Sequence, residues 1–355
     1  MKKILYTLIL IFPIQTWAQD PHFSQFYAAP WRLNPAMTGL IDCNYRVAAI
    51  FRGQWGEVLR NESVPMYRTY GVGLDFRTNR GFGKNDFVGI GASFLGDQAG
   101  ALKFGTYNAS ISLAYFKSLD QRGNHYISLG VQPEIYNQSL DFTQAQWGSQ
   151  WDGSSYNPLL PSLEYFVNNN LLYFDVAAGL LYYGKFGKRT NMYAGFSLYH
   201  ALTPNNSHLG DGSVRLPMKF TGHAGVRFPI KGRFDLQPKV IVMSMDKSIE
   251  LNVATDVRIL FEERNPQGNN FRMGAMYRIV GGDNNAPWRD RVMNSEAVIL
   301  SAGVDYNGIS AGVAYDINVS QLLPGSRAQG AFEVALSYTG CFAKRKPTAI
   351  YCPRF

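Results

Sequence analysis

Residues 248–259, SIELNVATDVRI, carry a two-residue beat. Ile249, Leu251, Val253, Val257 and Ile259 share one parity, interrupted only by Thr255. Ser248, Glu250, Asn252, Asp256 and Arg258 share the other, with Ala254 between them. A strand sends alternate side chains to opposite faces, so this stretch has one dry and one wet face. A helix would scatter the charges around its circumference. The beat recurs in Tyr107, Ala109, Ile111, Leu113 and Tyr115, and again in Phe332, Val334, Leu336 and Tyr338. A chain built from such units must find something to cover its apolar faces.

The N-terminus narrows the choice. Lys2 and Lys3, the apolar run from Ile4 to Ile14, and Thr16-Trp17-Ala18 form the three zones of a secretory signal peptide, with the cut expected after Ala18 or Gln19. No Cys follows the cut, so a lipoprotein is not expected. Loss of Lys2 and Lys3 lowers the formal charge from +8 to +6. Beyond residue 18 no apolar run is long enough for a membrane-spanning helix. Two solutions remain: a secreted soluble β protein, or a closed barrel, the one sheet architecture that leaves no unpaired edge in lipid. Aromatics at 14%, charged residues at 17% and 35 glycines suit a β-rich chain with many turns.

The alternation predicts fourteen strands, near 44–56, 67–79, 86–97, 104–117, 124–137, 171–184, 189–200, 214–229, 233–243, 247–260, 269–281, 294–306, 308–318 and 328–340. Long loops follow the first, fifth, seventh, eleventh and thirteenth, at 57–66, 138–170, 201–213, 282–293 and 319–327. Short links mostly follow the even strands, with Asn307-Gly308 and Lys231-Gly232 as tight turns. Outer-membrane barrels sort their connections this way, with short periplasmic turns and long extracellular loops. A soluble sandwich has no reason to. Tyr70, Phe76, Trp55, Tyr182, Tyr183, Tyr193 and Tyr199 fall toward strand ends, where membrane interfaces favour aromatics, although strand propensity alone would also place them. The expected fold is therefore all-β: a transmembrane antiparallel barrel of about fourteen strands.

Residues 19–43 lack the beat. Ser24 is placed to cap a short helix through Phe26 and Tyr27. Asn34-Pro35 reads as a second helix start and Gly39 as its stop. With Phe23 and Trp31 these residues make a sticky segment, read as a plug packed in or under the barrel; a flexible leader is the alternative. The domain division is then 1–18 signal peptide, 19–43 plug segment, 44–340 barrel and 341–355 periplasmic tail.

The chain resembles the PorP/SprF family of type IX secretion system outer-membrane proteins. The residues that carry the resemblance are Gln19-Asp20-Pro21-His22-Phe23-Ser24-Gln25-Phe26-Tyr27, Leu33-Asn34-Pro35-Ala36-Met37-Thr38-Gly39 and Phe51-Arg52-Gly53-Gln54-Trp55. Toward the end they are Ala314-Tyr315-Asp316-Ile317-Asn318, Phe332-Glu333-Val334-Ala335-Leu336 and the terminal Cys352-Pro353-Arg354-Phe355. The resemblance implies a barrel accessory to a secretion machine, supporting export or surface attachment of cargo such as gliding adhesins. Its partners would be outer-membrane lipid, the secretion machinery and cargo C-terminal domains. It brings no catalytic residues and no cofactor. A passive or lipophile-uptake channel is the alternative function.

No enzyme is expected. His22, His125, His200, His208 and His223 form no metal-binding spacing, and His125 and Ser128 fall on opposite faces of one strand. Gly71, Gly73, Gly89 and Gly91 lie inside alternating strands, as wall glycines rather than a phosphate loop. Arg46, Arg52, Asp75, Arg77, Glu250, Asp256, Arg258, Arg272, Arg278, Asp305, Asp316 and Glu333 would face the lumen, and their mixed signs favour a salt-bridged interior over a conducting pore. Nucleic acid is not an expected partner of an exported chain, and Lys344-Arg345-Lys346 is either a docking point or a solvated tail. The loop 138–170, with Trp147, Trp151, Tyr156, Tyr165 and Phe166, is the expected partner-binding element. Three cysteines leave three pairings open, and the short separation favours Cys341–Cys352.

Overall fold

The computed structural model describes residues 20–61, 64–78, 83, 85–142, 145–164, 169–208, 210, 212, 214–263, 268–282 and 293–342. The expected signal peptide, the basic tail and Cys352 lie outside them. Fourteen strands follow one another: β1 (Tyr45–Gln54), β2 (Tyr67–Thr78), β3 (Phe87–Ala99), β4 (Phe104–Ser118), β5 (His125–Ser139), β6 (Asn170–Lys185), β7 (Asn191–Tyr199), β8 (Lys219–Lys231), β9 (Phe234–Met245), β10 (Ser248–Leu260), β11 (Asn270–Gly282), β12 (Met293–Tyr306), β13 (Ile309–Asn318) and β14 (Gln329–Gly340). Each pairs antiparallel with its neighbours, and β1 closes on β14 with Tyr45 opposite Gly340 and Arg52 opposite Glu333. Closure leaves no edge. The strand expected at 214–229 starts only at Lys219; the described residues between Tyr199 and Lys219 form a loop with a bridge between Asn205 and Arg215.

Burial is inverted relative to a soluble protein. On β10, Glu250, Asn252, Asp256 and Arg258 are buried, while Val253 is 51% exposed. Elsewhere Val72, Ile111, Leu129, Phe174, Leu300 and Leu336 face outward. A continuous apolar exterior of this extent has one solvent that suits it, the hydrocarbon core of a membrane. Two aromatic belts bound it. Phe76, Tyr115, Phe234, Phe271, Tyr306 and Tyr338 ring the short-turn end, and Phe51, Tyr70, Phe94, Phe174, Phe220 and Phe332 the long-loop end. Tyr107 and Tyr115 lie ~26 Å apart along β4, about 20 Å along the membrane normal at a tilt of about 40°, which sets them just inside the edges of an apolar band of about 25 Å. Three aromatics expected at the interface are instead buried: Tyr183, Tyr193 and Tyr199 have the inward parity and pack in the core. Among the described residues no helix is long and apolar enough to cross a membrane.

Connections after odd strands include the long loops 55–66, 140–169 and 200–218, whereas 232–233 and 307–308 close the opposite end. Asn307 and Gly308 both have positive φ, at 48° and 88°, as a tight hairpin turn with matching twist requires.

Candidate functional site

The N-terminal segment has three short turns, Phe26–Ala28, Pro30–Leu33 and Pro35–Met37, joined by irregular backbone. It is buried among inward-facing residues of strands on opposite sides of the ring. An irregular chain at membrane depth needs protein partners for its backbone polar groups; the segment's own turns supply some, such as Ala28 N–H to the Gln25 carbonyl and Asn34 N–H to that of Pro30, and the wall supplies others. The Ser24 and Gln25 N–H groups donate to the two Glu333 carboxylate oxygens at 2.7 and 2.8 Å. Ser128 donates to the Ala36 carbonyl at 2.9 Å, Ser197 to that of Leu33 at 2.7 Å, and Arg77 to that of Ile41 at 3.0 Å. Asp75 accepts from the Gly39 N–H at 2.8 Å.

Ser24 is the hub. Its hydroxyl lies 2.8 and 2.7 Å from the two Asp316 oxygens and accepts from Arg52 at 2.7 Å and Arg278 at 2.6 Å. Arg52 also pairs with Glu333 at 2.6 Å, and Arg278 with Asp316 at 3.2 Å. The expected helix cap at Ser24 is therefore absent. Gln25 precedes the first turn without a capping bond, because the Ser24 side chain is committed to the wall. Asn34 does cap as expected, accepting from the Ala36 N–H at 2.8 Å, with Pro35 opening the turn, and Gly39 follows with φ of 75°. Asn34 also donates to the Leu180 and Phe196 carbonyls at 3.0 and 3.2 Å. Tyr27 lies in the cation field of Lys239 and Arg272.

Wall glycines make the seat. A methyl group at Gly130 would stand 2.4 Å from Pro35 C and Ala36 N, at Gly89 1.9 Å from the Thr38 carbonyl oxygen, and at Gly73 2.4 Å from the Trp31 ring. Elsewhere on the inner wall, charges pair between neighbouring strands: Arg46 with Asp75, Lys239 with Asp256, Arg258 with Asp235 and Arg272 with Asp305. Cavities between segment and wall are small. One of about 60 Å³ is lined by Gln25, Tyr27, Arg46, Arg272, Ser310 and Ser337. At roughly 10–15 Å³ per water it holds a handful of waters.

Strand direction orients the segment. Gly39 meets β2 near its short-turn end, whereas Asp20 reaches His200, just past the long-loop end of β7, and Lys219, which opens β8. The segment thus runs the length of the interior. Asp20 Oδ2 takes contacts from His200 at 3.0 Å, Arg32 at 3.3 Å and Lys219 at 3.4 Å. Burial alone would raise the Asp20 pKa, but His200 and Lys219, with Arg32, hold it well below the carboxylate range. At the other end Cys43 is bonded to Cys341 with Cα atoms 4.9 Å apart. The expected Cys341–Cys352 pairing is corrected: β1–β14 closure sets the residues just outside Tyr45 and Gly340 side by side, which outweighs the shorter loop.

The long-loop rim carries exposed apolar side chains. Trp151 is 58% exposed and bridges to Tyr156; Trp147 is half-buried beside Phe142. Tyr165 and Phe166 lie outside the described residues. Leu159 and Leu163 on the same loop, Leu202 and Val214 on the 200–218 loop, and Leu322 before β14 are also exposed. Aliphatic residues in loops give no signal in the sequence, so only the aromatics are found there. Among the described residues no group of three His, Cys, Asp or Glu side chains could hold a metal ion.

The fold is that of solved outer-membrane channels. The CymD monoaromatic hydrocarbon channel is 10% identical with a TM-score of 0.50, covering 90% of this chain and 94% of that one. A deltaS2 mutant of the TodX monoaromatic hydrocarbon channel is 9% identical with a TM-score of 0.51, covering 89% and 94%. At such identity the likeness concerns the barrel alone. No curated protein matches the sequence. The model of the type IX secretion system membrane protein PorP/SprF matches residues 16–338, nearly the whole of the strand region and its N-terminal segment. The chain is an outer-membrane β-barrel and belongs to the PorP/SprF family of type IX secretion system membrane proteins.

Proposed function

We propose that the protein is a non-enzymatic, plugged barrel that supports type IX export or surface attachment of cargo by docking a protein partner on its long-loop face. One observation carries this reading. The interior is occupied by residues 20–42 and paired charges, while the long loops carry a set of exposed apolar side chains outside the membrane band, at Trp151, Leu159, Leu163, Leu202, Val214 and Leu322; the described residues of the short-turn end carry a smaller set, Leu119, Phe186, Phe261 and Phe342. A barrel that worked by passing solutes would need the reverse arrangement. Exposed apolar groups rimmed by polar loops are the usual mark of a protein-binding surface. The long loops are extracellular on this reading, and the Cys43–Cys341 rim is periplasmic.

The test is a triple substitution, Trp151→Ser, Leu159→Ser and Leu163→Ser, in a strain secreting type IX cargo. The barrel should reach the outer membrane at the normal level while cargo is lost from the surface. Normal export would remove the docking role. An epitope tag at Gly153 should be reached by antibody on intact cells, and labelling only after the outer membrane is breached would reverse the orientation.

A further inference from the structure

We propose that Asp20 fills, from within the chain, a carboxylate-binding site open to the long-loop rim, and that a small external carboxylate with an apolar body is its exchangeable ligand. Three cations from three elements converge there: Arg32 from the N-terminal segment, His200 from the loop after β7 and Lys219 from the start of β8. His200 is held on its far side by Asp175 at 2.6 Å, and Arg32 by Tyr136 at 3.4 Å and Glu134 at 4.0 Å. Without Asp20, Arg32 and Lys219, and His200 when protonated, lose the one carboxylate that all three share. That is a cradle for a single carboxylate.

Asp20 meets this cradle through one oxygen, Oδ2, which all three cations reach at 3.0–3.4 Å. The Ser24 hub and the glycine seat hold the segment independently, so release of Asp20 leaves the rest in place. The surroundings also suit a ligand with an apolar body. A cavity of about 10 Å³ bordered by Asp20, His22, Lys219, Met243, Met245 and Glu250, whose carboxylate is paired with Arg278, lies at the rim, and a second of about 20 Å³ continues from Lys219 to Phe26, Ile241, Met243 and Met276. Thr221 lines the second cavity; it is 1% exposed, and its hydroxyl has no hydrogen-bond partner. A buried, unsatisfied hydroxyl in a mostly apolar pocket is the kind of group that a bound molecule completes.

The experiment is calorimetric titration of the purified barrel in neutral detergent with sodium butyrate, with butyramide and sodium chloride as controls. In wild type Asp20 competes as a tethered ligand at millimolar or higher effective concentration. Asp20→Ala should therefore bind butyrate at least about tenfold more tightly than wild type, and butyramide should bind neither protein. Adding Lys219→Met to Asp20→Ala should abolish that gain. Asp20→Asn carries the same test should the alanine variant not fold. Equal butyrate affinity in wild type and variant would overturn the proposal. So would butyramide matching butyrate, which would mark a merely apolar cavity, or a gain that survives Lys219→Met.

Discussion

Replacing Gly130 by Ala probes the seat of the N-terminal segment with a single methyl group. Built on the backbone, that methyl lies 2.4 Å from Pro35 C, 2.4 Å from Ala36 N and 2.6 Å from Ala36 Cα. All three are backbone atoms, so no side chain can swing away. Ordinary contact begins near 3.4 Å, which demands a shift of about 1 Å in the Pro35–Met37 turn or in β5. Such a shift stretches the Ser128 bond to Ala36, now 2.9 Å, and the Asn34 bonds to Leu180 and Phe196, now 3.0 and 3.2 Å, past useful geometry. Three weakened buried bonds at about 1 kcal/mol each, plus residual strain, give a loss of roughly 2–4 kcal/mol. Gly222→Ala is the control, since a methyl there meets nothing within 4 Å, and it should change stability by less than about 0.5 kcal/mol. Unfolding by guanidinium in detergent, followed by the gel shift between folded and unfolded barrel, measures both. If the two variants unfold alike, the segment is not seated on the wall as described.

Three further outcomes follow from the same geometry. Val253→Arg puts a charge at the apolar midplane of β10 and should cost about 2–4 kcal/mol, against little for Glu262→Arg in the loop beyond the strand, as folding into vesicles would show. Asn252 is no tolerant comparison, because its side chain bonds to both Glu250 and Arg278. Non-reducing peptide mapping should recover Cys43 joined to Cys341, and a Cys341–Cys352 peptide would contradict the closure seen here. Burial lowers the His200 pKa, but the Asp20 and Asp175 carboxylates outweigh it and raise it to about 9. The stability this contributes is complete below the ordinary value of 6.5 and is lost as pH climbs through about 9. The unfolding midpoint should therefore fall between about pH 6.5 and 9 and level off above that, and His200→Gln should flatten the fall.

The strands were legible because one parity had to meet lipid and the other had to meet charge. In residues 248–259 that rule assigns nearly every side chain to its face. Loop length then told the two ends of the barrel apart. Local chemistry showed the Asn34-Pro35 turn as well, since its cap depends on neighbours in sequence. Ser24 was misread for the converse reason: its partners, Arg52, Arg278, Asp316 and Glu333, come from strands far away in sequence, and the charge-assisted hydrogen bonds they offer exceed what a local cap can. Gly130 and Gly179 carry no sign in the sequence of the turn that packs on them. Tyr193 and Tyr199 show that aromatic content near strand ends does not specify a face, which parity must decide. The Asp20 clamp joins residues about 180 positions apart, so no spacing rule could assemble it.

Conductance across a planar bilayer tests the central claim, that this barrel is filled by its own N-terminal segment. Purified protein inserted at low density should raise no steady open-channel current at moderate voltage, because paired charges and residues 20–42 occupy the interior and the cavities found between segment and wall among the described residues are about 60 Å³ and less. A stable current of the size expected for an open fourteen-stranded pore would contradict it, and would return the protein to the class of channels.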